Sequence, residues 1–172
     1  SMGEPSRTVV HLLRHGEVDN PEGVLYGRLP GYVLSDLGHE MAQRAADALR
    51  DHDVTRVIAS PMERAQQTAA PIAAVHGLAI DTEPLIIEAD NIFEGQRVSV
   101  GDGVLKQPRT WRHLLNPFRP SWGEPYDEVA ARMGAAVDIA RERARGHEVV
   151  LVSHQLPIWV ARLAAEKRRL WH

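Results

Sequence analysis

Glu148-Val149-Val150-Leu151-Val152, followed at once by Ser153-His154, decides the fold. Val149 to Val152 is an unbroken apolar run in which three of the four residues are β-branched. A strand with one wet face alternates apolar and polar residues. A run without alternation fits a strand covered on both faces, as in the middle of a parallel sheet. The flanking segments read as helices. Tyr126 to Arg145 is long, Ala-rich and stopped by Gly146, and Pro157 opens a last helix to about Lys167.

Working outward, Thr8 to Leu13 reads as a buried strand and Gly16 to about Tyr32 as a Gly- and Pro-containing loop. Ser35 is an N-cap for a helix from about Asp36 to Arg50, with Leu37, Met41, Ala45 and Ala48 as its apolar face. Arg56 to Ala59 is a second strand. Ser60-Pro61-Met62-Glu63 reads as a helix start, with Ser60 capping, Pro61 at the first helical position and Glu63 closing a capping box. That helix runs toward Val75, stops at Gly77 and carries Pro71, which should kink it or leave a carbonyl unpaired. Leu78 to Thr82 is a short third strand. From Pro84 to Pro125 periodicity fades, with at most one short helix near Thr110 to Leu115. The expectation is a single α/β domain over 1–172: a three-layer sandwich with a mainly parallel sheet, helices on both faces and a flap inserted at about 89–125.

At 172 residues the chain can bury a core without staples. It holds no cysteine, which excludes disulfides, thiolate metal sites and a Cys nucleophile. A net charge of −3 gives no reason to propose nucleic acid or an anionic membrane as partner. No apolar run approaches the ~20 residues that span a bilayer, and no basic-then-apolar leader is visible. Ser1 ahead of Met2 reads as the scar of a removed tag. A cytoplasmic protein is expected, and a homodimer is compatible with the sequence.

Three polar clusters follow three strands directly: Arg14-His15-Gly16, then Ser60 with Arg64, then Ser153-His154. In a parallel sheet all three meet beyond the carboxyl ends of the strands, where such folds bind ligands. Two Arg and two His in one small pocket call for an anion between them, and phosphate is the natural candidate. The helix start at Ser60 to Arg64 adds positive field. A neutral imidazole nitrogen can attack phosphorus, whereas a protonated one can only donate. Gly16 lets the chain turn sharply beside His15 and leaves its ring unobstructed. Attack is therefore assigned to His15 and oxygen stabilisation to His154. His11 and His15, four apart in a strand, lie too far from each other for one ion, and no metal or other cofactor is expected.

Leu13-Arg14-His15-Gly16-Glu17, Leu34-Ser35-Asp36-Leu37-Gly38, Ser60-Pro61-Met62-Glu63-Arg64-Ala65-Gln66-Gln67-Thr68-Ala69 and Val152-Ser153-His154 occur in this order. Together they resemble the histidine phosphatase superfamily (phosphoglycerate-mutase-like). The resemblance implies that Arg14, His15, Arg64 and His154 form the phosphate pocket, and that Asn20 touches the phosphate. It also implies a carboxylic acid after the third strand, which protonates the leaving oxygen and later activates water. Glu88 fits best and Glu94 is its rival. Asn20 reads equally as a turn residue, and Glu63 as a capping partner. Gln155-Leu156-Pro157 stands where many members have small residues, so Gln155 would reach the substrate and narrow the pocket. Ser121-Trp122-Gly123-Glu124-Pro125-Tyr126 is similar to the turn that opens a helix in many members. The family usually adds another strand after the segment where this chain stops.

Arg97, Lys106, Arg109, Arg112 and Arg119 face only one acid, Asp102, between positions 97 and 119. They form either a solvated face or, at Arg109 and Arg112, a contact with a second anionic group of the substrate. Three functions fit: a phosphatase acting on a small-molecule phosphomonoester, a phosphoglycerate mutase, or a non-catalytic phosphate-binding module. The short chain favours the first.

Overall fold

The computed structural model describes residues 7–90 and 124–170. Glu94, Arg109, Arg112 and the helix expected near Thr110 to Leu115 lie outside the described residues. Four strands form one sheet: β1 (Val9–Arg14), β2 (Val54–Ala59), β3 (Ile80–Thr82) and β4 (Glu148–Ser153). Their order is β1-β4-β2-β3 and every pair is parallel. The apolar run therefore sits between β1 and β2, and Val149 to Ser153 are buried.

Alternation along β4 sorts two cores. Val150 and Val152 join Val57, Ala59, Ala69 and Ile72 beneath α1 (Asp36–Leu49) and α2 (Glu63–His76). Val149 and Leu151 join Ile58, Met133, Ala136 and Val160 beneath α3 (Tyr126–Arg143) and α4 (Gln155–Leu170). A period of two on a strand covered by helices on both faces produces this division. Among the described residues no helix is long and apolar enough to cross a membrane. Across the base of the inserted segment, Glu124 N–H donates to the Asp90 carbonyl at 3.0 Å.

Several expectations change. β1 pairs only with β4 among the described residues and is half-buried rather than covered. α2 begins at Glu63 with Met62 in the cap position and no side-chain cap. Ser60 lies too far ahead of that helix to close a capping box, and its hydroxyl turns to His154 instead. α4 begins at Gln155, two residues before Pro157. β3 begins at Ile80 rather than Leu78.

The inward face of α1 is also displaced by one residue. Gly38, Ala42 and Ala46 are buried, while Leu37 and Met41 are 47% and 43% exposed. The Ser35 cap forms as expected, its Oγ accepting Gly38 N–H at 3.1 Å. The rotation follows from backbone contact: a Cβ on Gly38 would lie 2.1 Å from the Glu17 carbonyl oxygen, and one on Gly16 2.6 Å from that of Gly38. Only glycine permits this approach, and it locks α1 against the turn that carries His15. Gly38→Ala is expected to cost roughly 1–3 kcal/mol through overpacking. Urea denaturation measures it, and an unchanged midpoint would show that the turn yields freely.

Candidate active site

The strand register delivers the chemistry. Arg14 pairs with Ser153 and Ala59 with Val152, so His15, His154 and Ser60 are the next residues beyond three adjacent strand ends. The ladder continues through His15 N–H to the Ser153 carbonyl at 3.1 Å and Ser60 N–H to the Val152 carbonyl at 2.9 Å. Arg64 stands in the first turn of α2, and Glu88 follows a 3₁₀ turn at Pro84–Ile86. Arg14 is exposed at the mouth, while His15, Arg64 and His154 are buried. A cavity of about 520 Å³ opens onto Arg14, His15 and Glu88, with Val24, Leu25, Tyr26, Leu156 and Trp159 as an apolar wall.

The His15 ring is held by one of its two nitrogens. Its Nδ1 lies 2.8 Å from the Gly16 carbonyl oxygen, which can only accept, so the ring proton is on Nδ1. Nε2 is left with its lone pair, and among the described residues nothing hydrogen-bonds it. Burial lowers the His15 pKa to about 4; the Gly16 carbonyl opposes this, and Arg64 and Arg14 push it further down. At neutral pH the ring is uncharged. Gly16 has an ordinary negative φ, so its role is the close contact with Gly38 rather than a special turn.

His154 and His15 meet edge to face with ring centroids 5.1 Å apart. His154 Nε2 is 2.8 Å from Ser60 Oγ, which Met62 N–H approaches at 3.4 Å. With Ser60 accepting from Met62 and donating to Nε2, the His154 proton resides on Nδ1. That Nδ1 is buried, has no hydrogen-bond partner and lies 3.9 Å from Glu88 Oε2. A buried orphan donor beside a cavity-lining carboxyl is a place where a ligand oxygen can bind. Burial first, then His15 and Arg64, lowers the His154 pKa to about 2. Both histidines are thus neutral, and the positive charge of the pocket comes from arginine.

These depressed values fix a stability trend. An unfolded histidine takes a proton near its ordinary pKa of 6.5, whereas these two resist until about 4 and about 2. The unfolded chain then binds more protons, so their contribution is lost as pH falls below about 6.5. The urea midpoint should drop from pH 7 to pH 5. A midpoint that rises would contradict the buried, neutral pair.

Arg64 donates to the Gly27 carbonyl, and its guanidinium lies 4.6 Å from the centre of the Tyr26 ring, which stacks on Tyr32. Glu88 Oε1 accepts Ala89 N–H at 2.9 Å. Burial raises the Glu88 pKa, against the lowering effects of Ala89 N–H, Arg64, Arg132 and Arg14. A carboxyl whose pKa is raised, beside a neutral imidazole, has the character that general acid catalysis calls for. Asn20 is tied to Val24 at both ends of its amide, at 2.8 and 3.1 Å, and borders a second lobe of the pocket with Met41. Gln155 lines the main cavity as the first residue of α4.

Sequence reasoning assigned no role to several residues that hold this arrangement. Thr68 Oγ1 accepts Gly16 N–H at 3.1 Å and donates to the Arg64 carbonyl at 2.8 Å, joining the turn after β1 to α2. Gln67 Oε1 accepts Leu34 N–H, and Gln66 Nε2 donates to the Ser60 carbonyl, both at 2.9 Å. Arg28 Nε donates to the Glu88 carbonyl at 2.8 Å. Glu124 pairs with both Arg28 and Arg132, at 3.2 and 2.8 Å. Gln66, Gln67 and Thr68 lie within the Ser60 to Ala69 motif and Glu124 within the Ser121 to Tyr126 turn, whereas Arg28 and Arg132 carry no local signal.

A family model of the histidine phosphatase superfamily (branch 1) matches residues 10–172. The chain belongs to the histidine phosphatase superfamily. Across this superfamily it is 61% identical over 168 residues to Uncharacterized protein Rv0525 of Mycobacterium tuberculosis, covering 98% of this chain and 83% of that one. It is 30% identical over 155 residues to Probable phosphoglycerate mutase GpmB of Yersinia pestis, covering 87% and 70%. The solved structure of mycobacterial glucosyl-3-phosphoglycerate phosphatase Rv2419c superposes with a TM-score of 0.72 at 26% identity, covering 91% and 78%. The superfamily's α/β fold is thereby shared, with the expected parallel sheet and helices on both faces.

Proposed function

We propose that this histidine phosphatase superfamily member hydrolyses a small phosphomonoester through a phosphohistidine at His15. The observation that carries this reading is the His15 ring itself: Nδ1 is bound to the Gly16 carbonyl, Nε2 is free, and the Glu88 carboxyl shares the cavity. In the first step Nε2 attacks phosphorus. Arg14, Arg64 and His154 Nδ1–H hold the phosphoryl oxygens, and the Glu88 carboxyl gives its proton to the departing alkoxide. In the second step the Glu88 carboxylate takes a proton from water as that water attacks phosphorus. The P–N bond breaks, and phosphate leaves with His15 neutral again. No metal takes part in either step. The reaction runs in the cytoplasm on a soluble metabolite.

The likeness to a glucosyl-3-phosphoglycerate phosphatase supports hydrolysis, and the 30% identity to a probable mutase supports the second reading, isomerisation. The apolar wall of Val24, Leu25, Tyr26, Leu156 and Trp159 favours hydrolysis of a substrate with a carbon frame larger than glycerate. Supplying 3-phosphoglycerate with catalytic 2,3-bisphosphoglycerate separates the two. Phosphatase action releases inorganic phosphate. Rapid isomerisation with little free phosphate would establish the mutase.

Arg109 and Arg112 are proposed to meet a second anionic group of the substrate. Reversing both to Glu should raise KM for the best metabolite much more than for p-nitrophenyl phosphate, which has no second anion. Equal effects on both substrates would leave these arginines as a solvated face.

A further inference from the structure

At the end of the sheet opposite the phosphate pocket, three ligand-type side chains converge. Glu148 opens β4, His11 is the third residue of β1, and His52 stands between α1 and β2. His11 Nε2 lies 2.6 Å and His52 Nδ1 3.0 Å from the same Glu148 oxygen, Oε1. The two imidazoles meet edge to face, centroids 5.6 Å apart. All three donor groups offer a ligand atom within 4.8 Å of one another. The other carboxylate oxygen, Oε2, accepts Asp53 N–H at 3.3 Å, which orients the group and leaves Oε1 to the histidines. Asp53 itself is paired with His147 at 2.6 Å, so it is already engaged.

A carboxylate oxygen can accept two hydrogen bonds, and the same convergence sets two imidazole nitrogens and a carboxylate oxygen around a common centre. We propose that His11, His52 and Glu148 form a binding site for a divalent transition ion of the zinc class, with solvent completing the coordination. Two imidazoles and one carboxylate suit zinc, nickel or copper, and select against magnesium and calcium, which prefer an all-oxygen shell. Bond lengths of about 2.0–2.2 Å from a tetrahedral ion bring ligand atoms to about 3.3 Å from one another. His52, 45% exposed in a turn, can swing to meet that spacing.

The proton balance is simple. The hydrogens that His11 Nε2 and His52 Nδ1 now direct at Glu148 move to the other nitrogen of each ring, and the freed lone pairs bind the ion. Glu148 enters as the carboxylate that already accepts both imidazole hydrogen bonds. His147 and Asp53 are the neighbouring titratable groups. The bound ion ties β1, β4 and the turn after α1 together, with His11 about 13 Å from His15 by the rise of a strand. It acts on stability and takes no part in phosphoryl transfer.

The test uses the full chain freed of metal by chelation, titrated with zinc chloride at pH 7.5 and followed by ¹⁵N NMR of the imidazole rings. One equivalent should move the ring nitrogens of His11 and His52. At a hundredfold excess over Kd the melting temperature should rise by about 5–10 °C. His52→Ala and Glu148→Gln should each weaken zinc binding about 10- to 100-fold or more, and millimolar magnesium should not compete. His52→Ala, at an exposed turn, keeps the fold, and its phosphate release should match the wild type with or without chelator. Zinc that leaves the His11 and His52 signals unmoved, or that binds both variants as tightly as the wild type, would overturn the proposal.

Discussion

His15→Ala is expected to lower turnover by roughly 10⁴–10⁶-fold, the scale seen when a covalent nucleophile is removed. The fold should survive. The ring is anchored by one hydrogen bond to its neighbour's carbonyl, whereas the turn around it is held by Thr68, Gly38 and the backbone bond to Ser153. Arg14, Arg64 and the His154 donor remain in the variant. Inorganic phosphate should therefore inhibit other members of a variant series and still bind this one within a few-fold of wild type. Steady-state kinetics with far-UV circular dichroism checks both halves. Residual turnover within tenfold of wild type would mean that water attacks phosphorus directly.

Glu88→Gln carries the second large effect. Turnover of an alkyl phosphate should fall by roughly 10²–10⁴-fold, while that of an aryl phosphate falls far less, because a good leaving group needs no proton. The pH profile gives an independent check. His15 must be neutral to attack, and its pKa of about 4 sets the acid limb there. Glu88 must be protonated to donate, and burial raises its pKa above the ordinary carboxylate value, so activity declines as pH rises through that raised value. Gln cannot ionise, so the variant should lose the alkaline limb and keep the acid one. If Glu94→Gln shows this pattern and Glu88→Gln does not, Glu94 is the acid.

The central strand was legible because an unbroken run such as Val149 to Val152 has few other uses. With it came the sheet's carboxyl edge, and hence the meeting of His15, Ser60, Arg64 and His154. What escaped was set by contacts between distant segments. In α1 the larger residues Leu37 and Met41 suggested the inward face, but the Gly38–Glu17 approach turns the helix by one residue, and Met41 ends at the pocket. Ser60 carries a capping pattern, yet its hydroxyl serves His154 from 94 residues away. Arg28 and Glu124 are 96 residues apart, beyond any local periodicity. His11 was weighed only against His15, on its own strand, whereas its partners are Glu148 and His52.

The central claim is the phosphohistidine, and trapping it tests that claim most directly. Enzyme mixed with ³²P-labelled substrate is quenched in alkali within milliseconds, digested and mapped. The account predicts acid-labile, alkali-stable label on the peptide containing His15, at up to one equivalent per chain. Label on the His154 peptide, or none at any time while phosphate is being released, would contradict it.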